Sequence, residues 1–136
     1  MATYLLDTSA WLAHVFDEPG ADEVTALFAD PETTIVISVL SILETQARFR
    51  AKNRAHEFSE MLETYRLLFT RIYPAGEAVI LGAIALREAS TGRLPAMDSL
   101  IAATAAHHHA TLVHRDPHFG GLPPESVVQL LLGDGR

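Results

Sequence analysis

The stretch LPAMDSLIAATAAHHHATLVHRDPHF, residues 94–119, contains the pattern that decides the fold. Pro95 is well suited to the entry of a helix, and the helical pattern that begins near Ala96 continues to the three histidines. The short apolar segment TLVHR then predicts a strand that ends at Asp116. The stretch therefore predicts a helix followed by a strand, with one carboxylate, Asp98, in the first turn of the helix.

Outward from this stretch, strands and helices continue to alternate. Further strands are predicted at residues 2–6 and in the segments TTIVIS, RIYP and SVVQLL. Five further helices are predicted. One begins near Ala10, one ends at about Ala29, one begins at Val39, one lies within AHEFSEMLETYRLLFT, and one covers 77–90. Thr8 or Ser9 is the expected cap of the first helix. The alternation predicts a single α/β domain, residues 1–136, with a parallel sheet covered on both faces.

The composition excludes several classes of protein. Hydrophobic residues make up 49% and charged residues 20% of the 136 residues, as in one globular domain. The absence of cysteine excludes disulfides, thiolate metal sites and thiol nucleophiles. Asp7 interrupts the first apolar run, and no apolar stretch approaches the ~18 residues that cross a bilayer. We therefore expect a cytoplasmic protein without a signal peptide.

Four acidic residues occupy equivalent positions in the predicted fold. Asp7 and Asp116 end strands, while Glu44 and Asp98 lie in the first turns of helices. In a parallel sheet the carboxyl ends of strands and the starts of the following helices share one edge. We therefore expect the four carboxylates to converge there.

Each acid also has an explanation that needs no function. Asp98 can stabilise a helix N-terminus through the helix dipole, Asp7 can cap a helix, and Asp116 can belong to an ordinary turn. Glu44 can pair with Arg48, four residues further along the helix. These explanations remain open one by one, but four such positions together favour a common purpose.

Clustered carboxylates repel one another unless a cation lies between them. Magnesium and manganese prefer hard oxygen ligands, and such ions stabilise charge during cleavage of phosphodiesters. A cation would also offset the repulsion between the acids and a nucleic acid. The four acids therefore indicate a metal-dependent nuclease, although a net charge of −7 argues against a plain phosphate-binding surface.

The segments YLLDTSAWL, SVLSILETQARFR, residues 94–119 and VVQLL together resemble a PIN domain. They are most similar to the VapC-type ribonuclease toxins of bacterial and archaeal toxin–antitoxin pairs, over nearly the whole chain. The resemblance implies a three-layer α/β/α fold and an endoribonuclease that depends on Mg²⁺ or Mn²⁺. It also implies a VapB-type antitoxin whose tail covers the site, and a homodimer or a hetero-oligomer with that antitoxin.

The resemblance also assigns roles to residues. It implies that Asp7, Glu44, Asp98 and Asp116 are the catalytic and metal-binding residues, with Asp7 and Asp98 as direct ligands. It implies that Ser9 supports Asp7 or a metal-bound water.

Basic residues supply candidate RNA contacts. Arg48 and Arg50 follow Glu44 on the same predicted helix and could guide an RNA strand toward the acids, although a solvated helix face explains them as well. Arg115, next to Asp116, is a third candidate.

Histidines mark the departures from the family pattern. Relatives often carry Thr or Ser where this chain has His114, and an acid where it has His118. Either histidine could contact a metal-bound water or phosphate, or be a turn or surface residue. Residues 107–109 are all histidine, and they point about 100° apart on a helix, so we expect a solvated helix end there.

The sequence leaves two other functions as alternatives, and it allows two roles for one apolar stripe. A PIN-like fold could serve only as a binding module, although no acid is missing. An aspartyl-phosphate phosphatase generally needs a second Asp where Ser9 stands. Both such a phosphatase and a receiver-type domain need a lysine late in the chain, yet Lys52 is the only lysine. Six residues at helical spacing form a stripe that predicts core packing or, alternatively, a groove for an antitoxin helix or a dimer surface. They are Phe58, Met61, Leu62, Tyr65, Leu68 and Phe69.

Overall fold

A five-stranded sheet organises the protein, whose computed structural model describes residues 1–133. The strands are β1 (Ala2–Leu6), β2 (Thr33–Ser38), β3 (Arg71–Tyr73), β4 (Thr111–His114) and β5 (Gln129–Leu131). Their order is β3-β2-β1-β4-β5, and all neighbours are parallel. The predicted parallel α/β fold is confirmed, and residues 134–136 of the predicted domain lie outside the described residues.

Six helices connect the strands. They are α1 (Thr8–Val15), α2 (Ala21–Ala29), α3 (Leu40–Ala51), α4 (Phe58–Arg66), α5 (Glu77–Ala89) and α6 (Ala96–His107). Short 3₁₀ helices lie at Ala55–Glu57 and Pro117–Gly121. No helix in the described part of the chain is long and apolar enough to span a membrane.

Two boundaries beside the predicted acids differ from the sequence prediction. The first helix begins at Thr8 and its cap is Asp7, so the prediction of Thr8 or Ser9 as cap was wrong. The fourth strand ends at His114, and Asp116 instead caps the 3₁₀ helix that follows. In both cases an aspartate carboxylate caps the helix that follows: Asp7 accepts from the Ala10 amide and Asp116 from the His118 amide.

The two faces of the sheet carry separate apolar clusters, because successive strand residues point to opposite sides. Leu5 and Leu112 belong to the cluster formed with α5 and α6. Leu6 and Val113, their neighbours in sequence, belong to the cluster formed with α1, α2 and α4. The sheet is therefore the middle of three layers.

The aromatic stripe of α4 contributes to the second cluster. Tyr65 and Phe69 are buried and meet Trp11 edge to face, with ring centroids 5.7 and 5.3 Å apart. Leu68 is 45% exposed. Core packing thus accounts for the inner part of the stripe, as predicted.

The turn before α2 requires a glycine. Gly20 has a φ of 101°, in the left-handed region, and a Cβ there would lie 3.1 Å from Leu132 Cβ. This turn brings the start of α2 against the chain beyond β5, close to the edge of the sheet where the predicted acids lie.

Candidate functional site

Asp7 lies directly after β1, the central strand, and is 3% exposed. Its Oδ1 accepts hydrogen bonds from the Ala10 amide at 2.8 Å and from Ser9 Oγ at 2.7 Å. Asp7 is therefore a helix cap, as one of the open explanations proposed. Within residues 1–133 no hydrogen bond engages Oδ2, so the capping role leaves one carboxylate oxygen for a further partner.

Burial raises the pKa of Asp7 to about 7. The hydrogen bonds from Ser9 and Ala10 oppose this shift, while the negative charges of Asp116 and Asp98 add to it. A cation beside Asp7 would act in the opposite direction, because it favours the ionised carboxylate. The environment of Asp7 is thus suited to holding a cation.

Ser9 links the first helix to the end of the fourth strand. Its hydroxyl donates to Asp7 Oδ1 and accepts a hydrogen bond from the Arg115 amide at 3.1 Å. Ser9 therefore fixes the carboxylate of Asp7 relative to the segment that carries Asp116. The supporting role that the resemblance implies for Ser9 stays a prediction.

Glu44 lies in the second turn of α3 and faces the start of α1. The Thr8 hydroxyl donates to Glu44 Oε1 and also lies 3.1 Å from Ser41 Oγ. The alternative pair with Arg48 is absent among the ion pairs of the described residues. Burial raises the pKa of Glu44, the Thr8 bond lowers it, and the charges of Asp98 and Asp116 raise it further.

Asp98 and Asp116 form the tightest part of the site, together with His118. One ligand atom from each of the three lies within 4.8 Å of the other two. His118 Nδ1 is 2.9 Å from both Asp98 Oδ2 and Asp116 Oδ1. Burial raises the pKa of Asp98, repulsion from Asp116 adds to the shift, and the bond from His118 opposes it.

The four carboxylates face one region at the carboxyl edge of the sheet. The charges of Asp98 and Asp116 each raise the pKa of both Asp7 and Glu44, so Asp98 and Asp116 lie close enough to act on the other two acids. Asp7 and Glu44 nevertheless stand outside the tight group of Asp98, Asp116 and His118. Several hard oxygen ligands with mutual repulsion and a free Oδ2 on Asp7 are a donor set that fits a divalent cation.

His114 is the residue that sequence reasoning placed least well. It is 3% exposed in β4, and its ring packs against Phe119 with centroids 4.7 Å apart. Nδ1 accepts from the Asp116 amide at 3.2 Å, so Nε2 carries the proton and donates to Gln129 Oε1 at 2.8 Å. Burial lowers the pKa of His114. Both nitrogens are thus engaged, and the residue positions Asp116.

The period-two alternation of the strand could have predicted this burial. His114 lies on the same face of β4 as Leu112, which is fully buried. A turn or surface position for His114 was therefore a wrong interpretation of a residue at the end of an inner strand.

The basic residues divide into free and engaged groups. Arg48 and Arg50 are exposed on α3. Lys52 Nζ lies 4.5 Å above the Phe16 ring. Arg115 donates to Glu18 Oε1 at 2.5 Å and to the Pro19 carbonyl at 2.9 Å. Arg115 thus holds the loop before α2, and RNA binding by Arg48, Arg50 and Arg115 stays a prediction.

The three consecutive histidines do not gather around one point. His107 is exposed at the end of α6, whereas the His108 ring stacks on Tyr73 with centroids 3.5 Å apart. His109 has a φ of 55°. In residues 1–133 only Asp98, Asp116 and His118 form a group with metal-ligand spacing, so these three histidines are not part of a metal site there.

A model of the PIN domain family matches residues 4–123. The match spans the four acids, Ser9 and both histidines near the site. No curated protein sequence matches the chain significantly.

Solved structures share the fold over nearly their whole length. VapBC2 from Rickettsia felis, bound to a promoter DNA fragment, has a TM-score of 0.76 at 20% identity, covering 95% of this chain and 98% of that chain. A toxin–antitoxin complex from Klebsiella pneumoniae has a TM-score of 0.66 at 26% identity, covering 92% and 95%. VapBC-5 from Mycobacterium tuberculosis has a TM-score of 0.70 at 22% identity, covering 97% and 100%.

Proposed function

Because the chain belongs to the PIN domain family, we propose that it is a metal-dependent endoribonuclease toxin of a type II toxin–antitoxin system. It hydrolyses RNA phosphodiester bonds in the cytoplasm at a site formed by Asp7, Glu44, Asp98 and Asp116. The ion is Mg²⁺ or Mn²⁺.

One observation carries this proposal: four carboxylates converge at the carboxyl edge of the parallel sheet, where the charges of Asp98 and Asp116 raise the pKa of Asp7 and of Glu44. Such an arrangement costs free energy in the absence of a cation, because like charges are brought together in a partly buried place. An asparagine or glutamine amide could meet the structural needs of these positions without the cost of burial and repulsion. The free energy that the cluster costs is offset when a divalent ion binds.

The chain's own residues would prepare the site for the reaction. Asp7, Asp98 and Asp116 would hold the ion, with Ser9 and His114 fixing the orientation of Asp7 and the backbone of Asp116. When bound, the ion supplies Lewis-acid stabilisation of the charge that develops on the phosphate. Glu44, half-buried and bonded to Thr8, stands further out, where it can accept a proton.

The proposed partners follow from the family. The similar structures from Rickettsia felis and Klebsiella pneumoniae are complexes described as VapBC2 and as toxin–antitoxin. We propose a VapB-type antitoxin for this chain, and a homodimer or a hetero-oligomer with that antitoxin. The exposed apolar side chains of α5 support a partner surface, since Ile80, Leu81 and Ile84 are 41%, 58% and 50% exposed.

The test is cleavage of a panel of cellular RNAs by protein purified free of any bound partner. Each RNA is incubated with Mg²⁺, Mn²⁺ or EDTA. We expect cuts that require the ion and disappear in both Asp7→Asn and Asp98→Asn. The matched control is Asp17→Asn, which neutralises an exposed acid in a left-handed position that asparagine adopts readily.

Two outcomes would overturn the proposal. Cleavage that survives in EDTA or in both variants would remove the four acids from the reaction. A folded, partner-free protein that cuts no RNA would favour the binding module. The phosphotransfer alternative has little support, because Lys52 caps the far end of α3, eight residues and about 12 Å of helix beyond Glu44.

A further inference from the structure

His118 is the one nitrogen donor within the tight acidic group. Its Nδ1 lies 2.9 Å from Asp98 Oδ2 and 2.9 Å from Asp116 Oδ1. The backbone N–H of His118 also donates to Asp116 Oδ1 at 2.9 Å. The backbone bond fixes the chain at His118 beside Asp116, and the two contacts of Nδ1 orient the imidazole toward the acids.

These distances match those between neighbouring ligands of one ion. Two donors at 2.1 Å from an octahedral ion, at a right angle, are about 3 Å apart. Nδ1 has this separation from an oxygen of each acid, and the three donor atoms together lie within 4.8 Å. The three side chains could thus contact one ion after small rotations.

We propose that His118 Nδ1 is a ligand of the metal ion at this site, together with Asp98 and Asp116, and that it makes the protein prefer Mn²⁺ over Mg²⁺. The inference rests on the proposed metal-dependent function and names the ion that the site selects. Imidazole nitrogen is a good ligand for transition-metal ions, whereas Mg²⁺ prefers oxygen ligands. One nitrogen among carboxylates therefore favours the transition metal without excluding Mg²⁺.

Other nitrogens near the site do not compete for this role. Both ring nitrogens of His114 are engaged, with Gln129 and with the Asp116 amide. His107, at the opposite end of α6 from Asp98, is about 13 Å away along the helix axis. A nitrogen bound directly to the ion would thus be assigned to His118.

The contrasting role for His118 is that of a hydrogen-bond donor that occupies the space between the acids. Under that role an ion must displace the imidazole, so truncation of His118 would tighten metal binding. Under the proposed role truncation weakens binding. The sign of the change in affinity therefore separates the two roles.

The experiment uses full-length protein stripped of metal, with Mn²⁺ and Mg²⁺ as the probes. Calorimetry gives the affinities, and pulsed EPR of bound Mn²⁺ detects a directly coordinated ¹⁴N. We expect the wild type to show that coupling and to bind Mn²⁺ more tightly than Mg²⁺. His118→Ala should lose the coupling and weaken Mn²⁺ binding by about tenfold or more. His118→Asp, which supplies an oxygen donor in place of the nitrogen, should bind both ions. Its affinity for Mn²⁺ should exceed its affinity for Mg²⁺ by a smaller factor than in the wild type.

The control is His56→Ala, which removes an exposed imidazole from the 3₁₀ helix Ala55–Glu57 and should keep both the coupling and the affinity. Bound Mn²⁺ without ¹⁴N coupling in the wild type would overturn the proposal, as would equal or tighter Mn²⁺ binding by His118→Ala. In either case loss of Mn²⁺ binding in Asp98→Asn would leave the metal-dependent function standing. A wild type that binds neither ion would instead overturn the proposed function itself.

Discussion

The hydroxyl of Ser9 donates to Asp7 Oδ1 over 2.7 Å, and the second oxygen of that carboxylate is left without a partner in the described chain. One side chain thus serves two purposes with its two oxygens. Oδ1 caps the first turn of α1, while Oδ2 makes no hydrogen bond within residues 1–133. The bond to Oδ1 depends on the Ser9 hydroxyl, which also accepts a hydrogen bond from the Arg115 amide.

Replacing Ser9 by alanine should therefore destabilise the folded protein. The change leaves the amide of Arg115 without its acceptor and removes a bond that keeps the pKa of Asp7 from rising further. We expect the free energy of unfolding in urea to fall by about 1–2 kcal/mol. Ser59→Ala, an exposed site on α4, should change it by less than ~0.5 kcal/mol. Equal losses at both positions would contradict the linking role of Ser9.

Stability without metal should depend on pH through Asp7. The folded pKa is about 7 against an ordinary value of 3.8, so the folded state binds more protons than the unfolded state between these pH values. Stability should therefore fall as pH rises from about 4 to about 7, an expectation that follows from proton linkage. Asp7→Asn removes this loss, because its amide stays neutral and can still accept at Oδ1.

The measurement is urea unfolding in EDTA at several pH values. At pH 8 we expect Asp7→Asn to be more stable than the wild type by roughly 2–4 kcal/mol, with a smaller gain at pH 4. Asp17→Asn should show little change with pH relative to the wild type. Part of the pH dependence should remain in Asp7→Asn, since the pKa values of Glu44 and Asp98 are raised as well. A stability difference that does not vary with pH would contradict the buried position of Asp7.

His114→Ala should destabilise the protein by about 2–4 kcal/mol in urea unfolding. The change removes a buried ring from Phe119 and leaves Gln129 and the Asp116 amide without their partner. His107→Ala, at the exposed end of α6, is the control and should change stability little. A loss below ~0.5 kcal/mol for His114→Ala would show that the network contributes little.

The exposed arginines of α3 should affect RNA binding through charge. In an Asp98→Asn background, replacing both Arg48 and Arg50 with glutamine should weaken binding of single-stranded RNA. The slope of log affinity against log salt should become shallower by about 1.4, which is about 0.7 for each lost contact with a phosphate. In a protein that keeps Asp98, the same two arginine replacements should leave Mn²⁺ affinity unchanged. Arg66→Gln, which removes an exposed charge of α4 that pairs with Glu63, is the control. An unchanged slope would remove Arg48 and Arg50 from the RNA surface.

The sheet and the convergence of the acids could be predicted because both depend on local pattern and on one topological rule. Alternation of strands and helices favours a parallel sheet, and the carboxyl ends of parallel strands share an edge. Asp7, Glu44, Asp98 and Asp116 each follow a recognisable strand end or helix start. Their approximate place therefore required no knowledge of distant contacts.

The partners of the individual side chains could not be predicted in the same way. Arg115 pairs with Glu18, 97 residues earlier in the chain, and the Arg115 amide bonds to Ser9. Thr8 donates to Glu44 across two helices instead of capping its own. Each of these bonds depends on how elements pack at the sheet edge, and periodicity in the sequence carries no information about that packing.

The strand order determines the stage of synthesis at which the site can form. β1 occupies the centre of the sheet, but its neighbour β4 is made only after β2, β3 and all six helices. Asp7 and Asp116 are 109 residues apart in sequence (116 − 7) and meet only when β4 pairs with β1. A chain that stops before Thr111 would contain Asp7, Glu44 and Asp98 without the fourth acid, and we expect a metal titration of such a fragment to show no wild-type affinity. Under the proposed function, a growing chain would be harmless to the RNA that encodes it until β4 and Asp116 had emerged and paired with β1.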